Sequence, residues 1–532
     1  MRSFLLILLS VISIDALARV EVSVSQTGGR EIDFSIDSLA IEEIELQGKS
    51  FTKVELAGVE GYKGIDYQIG APQLPVIRLY TYSHPQVTFN GAGKFQMLNK
   101  HLVPSQKSVV KLPRARIDFD MDLQKYQSNE FYPQADYKVE KAGSIRGQQR
   151  YLLTIYPVKY NPMKRIIEVR SQFSIRDQMP QSSEPEANNI LFVVGAAFEN
   201  SPSLQRYRDF HHELGNETEI LVYGNGIENP NELRDAIQRN YHSSGTTHII
   251  IVGDASDVPG KSARHISGTT DHFYRAIDTE DYESDINGPD VRLARISVSN
   301  ESQLEDVVDK FISYQRRTER EFWQNQVSFI ATDDRRFYRV SEGTHDYVID
   351  TWTRQNGYVG DYPSARSMGG DKLYAIGTNA VGSDVFRMMS EGRNFIIYSG
   401  HGYNNGWAGP NVGRSDIKRL QDASVNPFVI GFACDTGDYR QTETFAEVWL
   451  RHPAGAISYW GSMDSSYWDE DDIMEKRLFD KMFAGEYEIG SLFNHSLEQV
   501  WAHYGGAGYS KYYWESYTAF TDPSINIRVG HQ

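Results

Sequence analysis

Apolar and polar residues alternate over Glu21-Val-Ser-Val24 and Asp33-Phe-Ser-Ile-Asp37, the pattern of strands with one buried face. Tyr151–Tyr156 and Ile166–Arg170 resemble strands on either side of Asn161-Pro162-Met163-Lys164, whose turn chemistry predicts a hairpin. Between these regions lies Gly70-Ala-Pro-Gln-Leu-Pro75, whose two prolines predict a segment outside any central strand. The texture changes at 177–189, a polar, proline-bearing linker open to proteolysis. Beyond it, continuous apolar runs alternate with helical periods. Strands are predicted at 190–194, 220–223, 248–252 and 291–296, then at 327–331, 395–398, 428–432 and 456–459. Helices are predicted at 231–241, 301–320, 344–355, 379–390, 444–451, 471–483 and 491–503. Such alternation predicts α/β units with mainly parallel sheets covered on both faces.

The first residues read differently. Met1-Arg2 is a short basic start, Phe4 to Ile14 is almost unbroken hydrophobe, and Ala16-Leu17-Ala18 has the form of a signal-peptidase site. Residues 1–18 are therefore expected to be a signal peptide, and the mature chain secreted or periplasmic, with no membrane span. A net charge of −17 argues against nucleic acid as a partner. The 532 residues are 40% hydrophobic, enough for several sizeable cores. They include a single cysteine, which excludes an intrachain disulfide.

That cysteine ends a buried-strand run, Phe428-Val-Ile-Gly-Phe-Ala-Cys434. A similar run, Asn394-Phe-Ile-Ile-Tyr-Ser399, ends in Gly400-His401-Gly402. In open parallel sheets sites form beyond the carboxyl ends of the strands. A short crossover around Arg414–Leu420 predicts that these two strands are neighbours. Cys434 is then the candidate nucleophile and His401 the candidate general acid and base. The N–H groups of Gly402 and Cys434 are candidate oxyanion donors. The competing reading makes Cys434 an inert small hydrophobe and His401 a turn residue.

Several segments together resemble the gingipain family of secreted cysteine endopeptidases with a caspase-like fold. They are Tyr398-Ser-Gly-His-Gly402 with Trp407, Phe432-Ala-Cys-Asp-Thr-Gly-Asp438, Ile251-Val-Gly-Asp-Ala255, Thr270-Asp-His-Phe-Tyr274, Arg292-Leu-Ala-Arg-Ile296 and Phe520-Thr-Asp-Pro-Ser524. The 70–75 motif is similar to one in the family's prodomain. The resemblance implies a β-rich prodomain over 19–176 that blocks the site until it is cut away near Arg176 or in the linker. It implies a catalytic domain of two subdomains, 190–324 and 325–532, the second carrying the dyad. An arginine of the prodomain, Arg114, Arg116 or Arg146, is expected in the specificity pocket. The carboxylate that orients the imidazole is expected at Asp334, with Asp333 as the alternative. Glu342 is expected to receive a P1 guanidinium, or else to serve as a helix N-terminal residue. Ser399, Phe432, Tyr467 and Trp468 occupy places that resemble the pocket walls. No immunoglobulin-like or sorting segment is expected after about residue 530.

The segment 278–290 concentrates oxygen ligands around a glycine turn, which suits calcium although the spacing is not that of an EF-hand loop. Asp281, Glu283, Asp285, Asn287 and Asp290 are its candidate ligands, for a structural ion that the chemistry does not need. His211-His212 and Asp271-His272 lack a well-spaced third zinc ligand. The expected function is an exported cysteine endopeptidase made as a zymogen, acting through a thioacyl-enzyme and cutting after Arg or Lys. Protein or peptide substrates and the chain's own prodomain are the expected partners. The alternatives are a transpeptidase or sorting peptidase on the same dyad, and a non-catalytic caspase-like binding module.

Overall fold

The computed structural model describes residues 19–24, 29–36, 38–179, 187–421 and 425–530. The signal-peptide reading of 1–18 and part of the linker lie outside them. No described helix is long and apolar enough to cross a membrane.

The chain forms two compact units. The first comprises residues up to Ser105, Asp120–Glu140 and Leu152–Met179. It is β-rich. Arg19–Val24, Gly29–Ser35, Gln172–Gln178 and Gln86–Phe89 form one sheet in that order, and Val158–Asn161, Ile166–Val169 and Lys94–Met97 form another. Ile32, Phe34, Leu74, Ile77, Leu153, Val158, Ile167 and Phe173 share its core. The hairpin around Asn161-Pro162 is present, but its first strand is Val158–Asn161 rather than Tyr151–Tyr156. The proline expectation fails in part. Leu74–Thr81 lies inside its sheet, with Pro75 opposite Ile65. Proline is tolerated there because it stands at the strand's start, before the full ladder.

The second unit comprises Gln106–Phe119, Lys141–Tyr151 and everything from Pro180 onward. Its first sheet is parallel: β1 (Asn189–Gly195), β2 (Glu217–Tyr223), β3 (His248–Val252) and β4 (Arg292–Ile296), in the order β2-β1-β3-β4. Its second sheet holds β5 (Val327–Ala331), β6 (Asp371–Tyr374), β7 (Phe395–Ser399), β8 (Phe428–Phe432), β9 (Ser458–Ser462) and β10 (Tyr517–Phe520). Their order is β6-β5-β7-β8-β9-β10. All are parallel except β10, which runs antiparallel to β9. Strands β5, β7, β8 and β9 are buried throughout, as continuous apolar runs require. β7 and β8 are direct neighbours, with Ser399 opposite Phe432, so the loops that follow them emerge side by side.

Candidate active site

The loop after β7 is pinned before it reaches the histidine. Tyr398 donates its hydroxyl to the His401 carbonyl at 2.7 Å and stacks on Trp407. Gly402 then touches the loop after β8. A Cβ placed on it would come within 2.7 Å of the Ala433 Cβ, so a side chain there would push the two loops apart. Asp435, just past the cysteine, adopts a left-handed φ of 58°. Burial and the neighbouring Asp464 and Asp438 push its carboxyl up to about 6.

His401 and Cys434 meet at one atom, the carbonyl oxygen of Lys111. His401 Nδ1 lies 2.7 Å from it and Cys434 Sγ 3.4 Å. The other ring nitrogen, Nε2, lies 2.9 Å from Asp334 Oδ2. Both ring nitrogens thus face oxygen atoms. Burial works to raise the Asp334 carboxyl. The Arg336 N–H, the His401 ring and the Arg336 charge outweigh it and hold the group below its usual range. Asp333 is exposed, packs against Gly409 and does not face the ring. Cys434 is buried, and burial pushes its thiol up to about 11 despite the Ser466 N–H donated to the sulfur at 3.3 Å. The N–H groups of Gly402 and Cys434 are not among the donors to the Lys111 oxygen.

Lys111 carries the rest of the geometry. Its Nζ lies 2.8 Å from Asp471 Oδ2, and the two side chains are 0% and 1% exposed. The same ammonium donates to the Phe432 carbonyl at 2.8 Å and to Ser399 Oγ at 3.1 Å. The ammonium thus makes two hydrogen bonds and one buried ion pair. It also sits 4.7 Å from the centre of the Trp468 ring. Asp471 in turn accepts the hydroxyls of Tyr513 and Tyr517 at 3.0 and 2.6 Å. The backbone around Lys111 is extended. Its N–H donates to Ser466 O, Trp468 N–H donates to Val109 O, and Val110 bridges Tyr467 antiparallel. The Tyr467 ring itself stacks on Tyr509.

Three sequence expectations need correction. The buried cation is Lys111. Arg114 and Arg116 are exposed, the latter paired with Asp118, and Arg146 donates to the Gly245 and Thr246 carbonyls. Glu342 does not receive it. The helix there begins at Tyr338, so Glu342 lies within it and accepts the Gly377 N–H at 2.8 Å. Asp471, which does, lies in the first turn of the Trp468–Phe483 helix among Asp469, Glu470 and Asp472. An acidic first turn is ordinary for a helix, so the run carried no distinguishing signal. Finally, the proposed calcium ligands do not converge. Asp281 caps the short Tyr282–Asp285 helix, and Glu283 pairs with Lys511 and His265. Asn287 accepts the Trp514 ring N–H and donates to the Ala142 carbonyl.

Only Asp285 and Asp290 of that set come together, and Asp278 joins them. Most of their oxygens are met by donors, while Asp285 Oδ2 is buried without a hydrogen-bond partner. Ser144 N–H binds Asp285 at 2.6 Å, Gly147 N–H binds Asp278 at 2.6 Å and Arg146 N–H binds Asp290 at 2.8 Å. Ile277 and Asp278 N–H add two more bonds to Asp290. Burial pushes Asp285 up to about 7 and Asp290 to about 8. The unpartnered Asp285 Oδ2 means that these donors do not by themselves close the cluster to a cation.

The profile of Peptidase family C25 matches residues 183–528, and that of its propeptide matches 16–200. The chain belongs to peptidase family C25. Its C25 relatives include Lys-gingipain of Porphyromonas gingivalis, 23% identical over 93% of this chain and 32% of the relative. Gingipain R1 of the same organism is 20% identical over 95% of this chain and 54% of the relative. The chain therefore spans a third to a half of the length of these relatives. Among solved structures, the Arg-specific cysteine proteinase gingipain R matches with a TM-score of 0.55 at 22% identity, over 66% of this chain and 80% of that one. The complex of RgpB pro- and mature domains matches with 0.56 at 20% identity, over 64% and 80%. This likeness establishes the fold: the gingipain-type α/β architecture with a β-rich N-terminal region. Gln106–Phe119 and Lys141–Tyr151 fall within the propeptide match, yet they pack within the second unit.

Proposed function

We propose that this C25 chain is the latent form of an exported cysteine endopeptidase that cuts after lysine. The observation that carries the reading is Lys111: its side chain fills an acidic slot while its carbonyl lies at the Cys434–His401 pair. A residue held in this way is a P1 residue. In a substrate, Cys434 Sγ attacks the P1 carbonyl carbon as the sulfur's proton passes to His401. The C–N bond breaks, His401 gives its proton to the leaving amine, and a thioester remains on Cys434 until water hydrolyses it. Asp334 keeps the imidazole oriented throughout. The pro-segment resists this course because its carbonyl oxygen takes the hydrogens of His401 and Cys434. The proton needed by the leaving amine is tied to the wrong atom. Two family names fit the reading: Lys-gingipain by its specificity, and the C25 propeptide as the inhibiting segment.

The slot selects lysine by length and by donor count. Ser399 Oγ and Phe432 O accept from the ammonium and Asp471 supplies its counter-charge, and a larger planar guanidinium has no matching fork. After processing, peptides with lysine at P1 are expected to outrun those with arginine or norleucine. Asp471→Asn is expected to lower kcat/KM for lysine peptides by about 100-fold or more, because a buried ammonium loses its counter-charge. Equal cleavage after norleucine in the unmodified enzyme would end the lysine reading.

A further inference from the structure

Glu470 is the second buried carboxyl of the same helical turn, and the chemistry above does not use it. Its neighbour Asp469 is exposed and is enough to complement the helix dipole. Glu470 instead points inward and is 0% exposed. Its Oε1 accepts the Ser108 hydroxyl at 2.6 Å, and its Oε2 is buried with no hydrogen-bond partner. Burial, with the Asp469 charge, pushes the carboxyl up to about 8, and the Ser108 bond pulls the other way. An acid sealed inside and answered by one hydroxyl is costly to keep. Ser108 is itself nearly closed off, at 8% exposed.

The register gives this contact its meaning. If Lys111 is P1, the segment paired along Ser466–Trp468 runs Val110 at P2, Val109 at P3 and Ser108 at P4. When the pro-segment leaves, Glu470 loses its donor. A substrate on the same path brings its own P4 side chain to that carboxyl. We propose that Glu470 forms an S4 subsite that selects peptides with a serine or threonine hydroxyl three residues before the scissile lysine. The proposal rests on Lys111 marking P1. An apolar P4 residue would bury the carboxyl with no donor at all, and a site built around one hydroxyl discriminates against its absence.

The test uses enzyme activated from the full-length chain and peptides Xaa-Val-Val-Lys with Ser, Thr, Ala or Val at P4. Threonine and valine share shape and differ by the hydroxyl. The expected kcat/KM is about tenfold higher for Ser and Thr than for Ala and Val, falling to within about twofold in Glu470→Ala. Equal rates for the threonine and valine peptides in the unmodified enzyme overturn the subsite, and that comparison needs no variant to fold. A serine preference that survives Glu470→Ala overturns it as well. Lysine against norleucine at P1, with serine held at P4, is read separately. If another P1 residue wins, the lysine reading falls and the threonine–valine comparison is made on that residue. In the full-length chain, Ser108→Ala is expected to speed labelling of Cys434 by a peptidyl acyloxymethyl ketone several-fold, and Ser108→Thr to leave it unchanged. Faster labelling without any P4 preference among substrates confines the contact to latency and also overturns the proposal.

Discussion

The Asp471 slot and the Asp278–Asp285–Asp290 cluster are both filled by sequence from the propeptide match, and they are filled in opposite ways. Asp471 is answered by a full charge at the end of a side chain. The three-carboxylate cluster is answered by backbone N–H groups of Ser144, Arg146 and Gly147, which any residue but proline could supply. The first contact therefore reads residue identity, and the second reads only the shape of a turn. On the proposed lysine reading, the first can block a peptidase because a substrate makes the same contact. The second can hold a segment in place without resembling a substrate.

Removing the charge is the most severe way to break this contrast. Lys111→Ala leaves Asp471 buried with no cation, a cost of about 3–5 kcal/mol to the docked form. The full-length variant is expected to label with an active-site probe more than about 100-fold faster than the unmodified chain. Labelling at the unmodified rate would show that Lys111 does not hold the block.

A pH series sharpens the same half of the comparison. The Lys111 carbonyl lies against Cys434, and burial holds its thiol near 11 although the Lys111 charge pulls it down. Only the thiolate is alkylated. The rate of iodoacetamide labelling in the full-length chain should then rise about tenfold per pH unit from about pH 7 to pH 10, with no plateau. The sign follows from the raised pKa: the protonated form dominates until the pH nears it. In Lys111→Ala the ammonium charge that lowers the thiol is lost, but release of the segment gives the thiol water, the larger effect, and the plateau should move to lower pH. A plateau near pH 8 in the unmodified chain would contradict the burial.

At the other cluster the turn itself is the target. Gly143 has a φ of 80°, and a Cβ there would lie 2.9 Å from the Gly288 N and 3.0 Å from Asp285 Oδ1. Gly143→Ala therefore combines a left-handed backbone with a collision, costing about 1–2 kcal/mol for the backbone alone. Hydrogen exchange at Ser144, Arg146 and Gly147 is expected to quicken about tenfold or more, with little change in probe labelling. Unchanged exchange would mean that the turn is not what holds these donors.

The unequal legibility of the two halves has the same physical root. His401 and Cys434 stand directly after apolar runs, and the glycines beside them mark where neighbouring loops must touch, so local pattern carried them. Asp334 also follows a strand, β5, but it was the family resemblance that pointed to it. Lys111 was hidden because Val109-Val110-Lys111-Leu112-Pro113 reads as an ordinary edge strand, although a lone cation among four apolar residues was the available signal. Asp471 was hidden by its acidic neighbours, since burial within a helical turn leaves no mark on composition. The carboxylate cluster was legible only in Asp285 and Asp290, because its other partners are N–H groups from a distant segment, and a backbone donor has no letter in the sequence. The fold class was legible throughout the second unit because parallel buried strands are continuous apolar runs, whereas Pro75 showed that a strand's first residues escape that rule.

The smallest expected effect is the most pointed one. Arg146 was a candidate for the specificity pocket, and its side chain reaches the carbonyls of Gly245 and Thr246 at 3.4 and 3.2 Å and lies over Tyr241. Its contribution to the carboxylate cluster is its N–H, which alanine keeps. Arg146→Ala should therefore forfeit only two long, half-buried hydrogen bonds, within about 1 kcal/mol. Exchange at Ser144 and Gly147 should change by less than about fivefold, and probe labelling of Cys434 should not change. Arg146→Pro deletes the N–H and cannot adopt the φ of 52° found there. It should open the turn as Gly143→Ala does. If Arg146→Ala proved as damaging as Arg146→Pro, the cluster would be held by side-chain identity after all, and the contrast with Lys111 would dissolve.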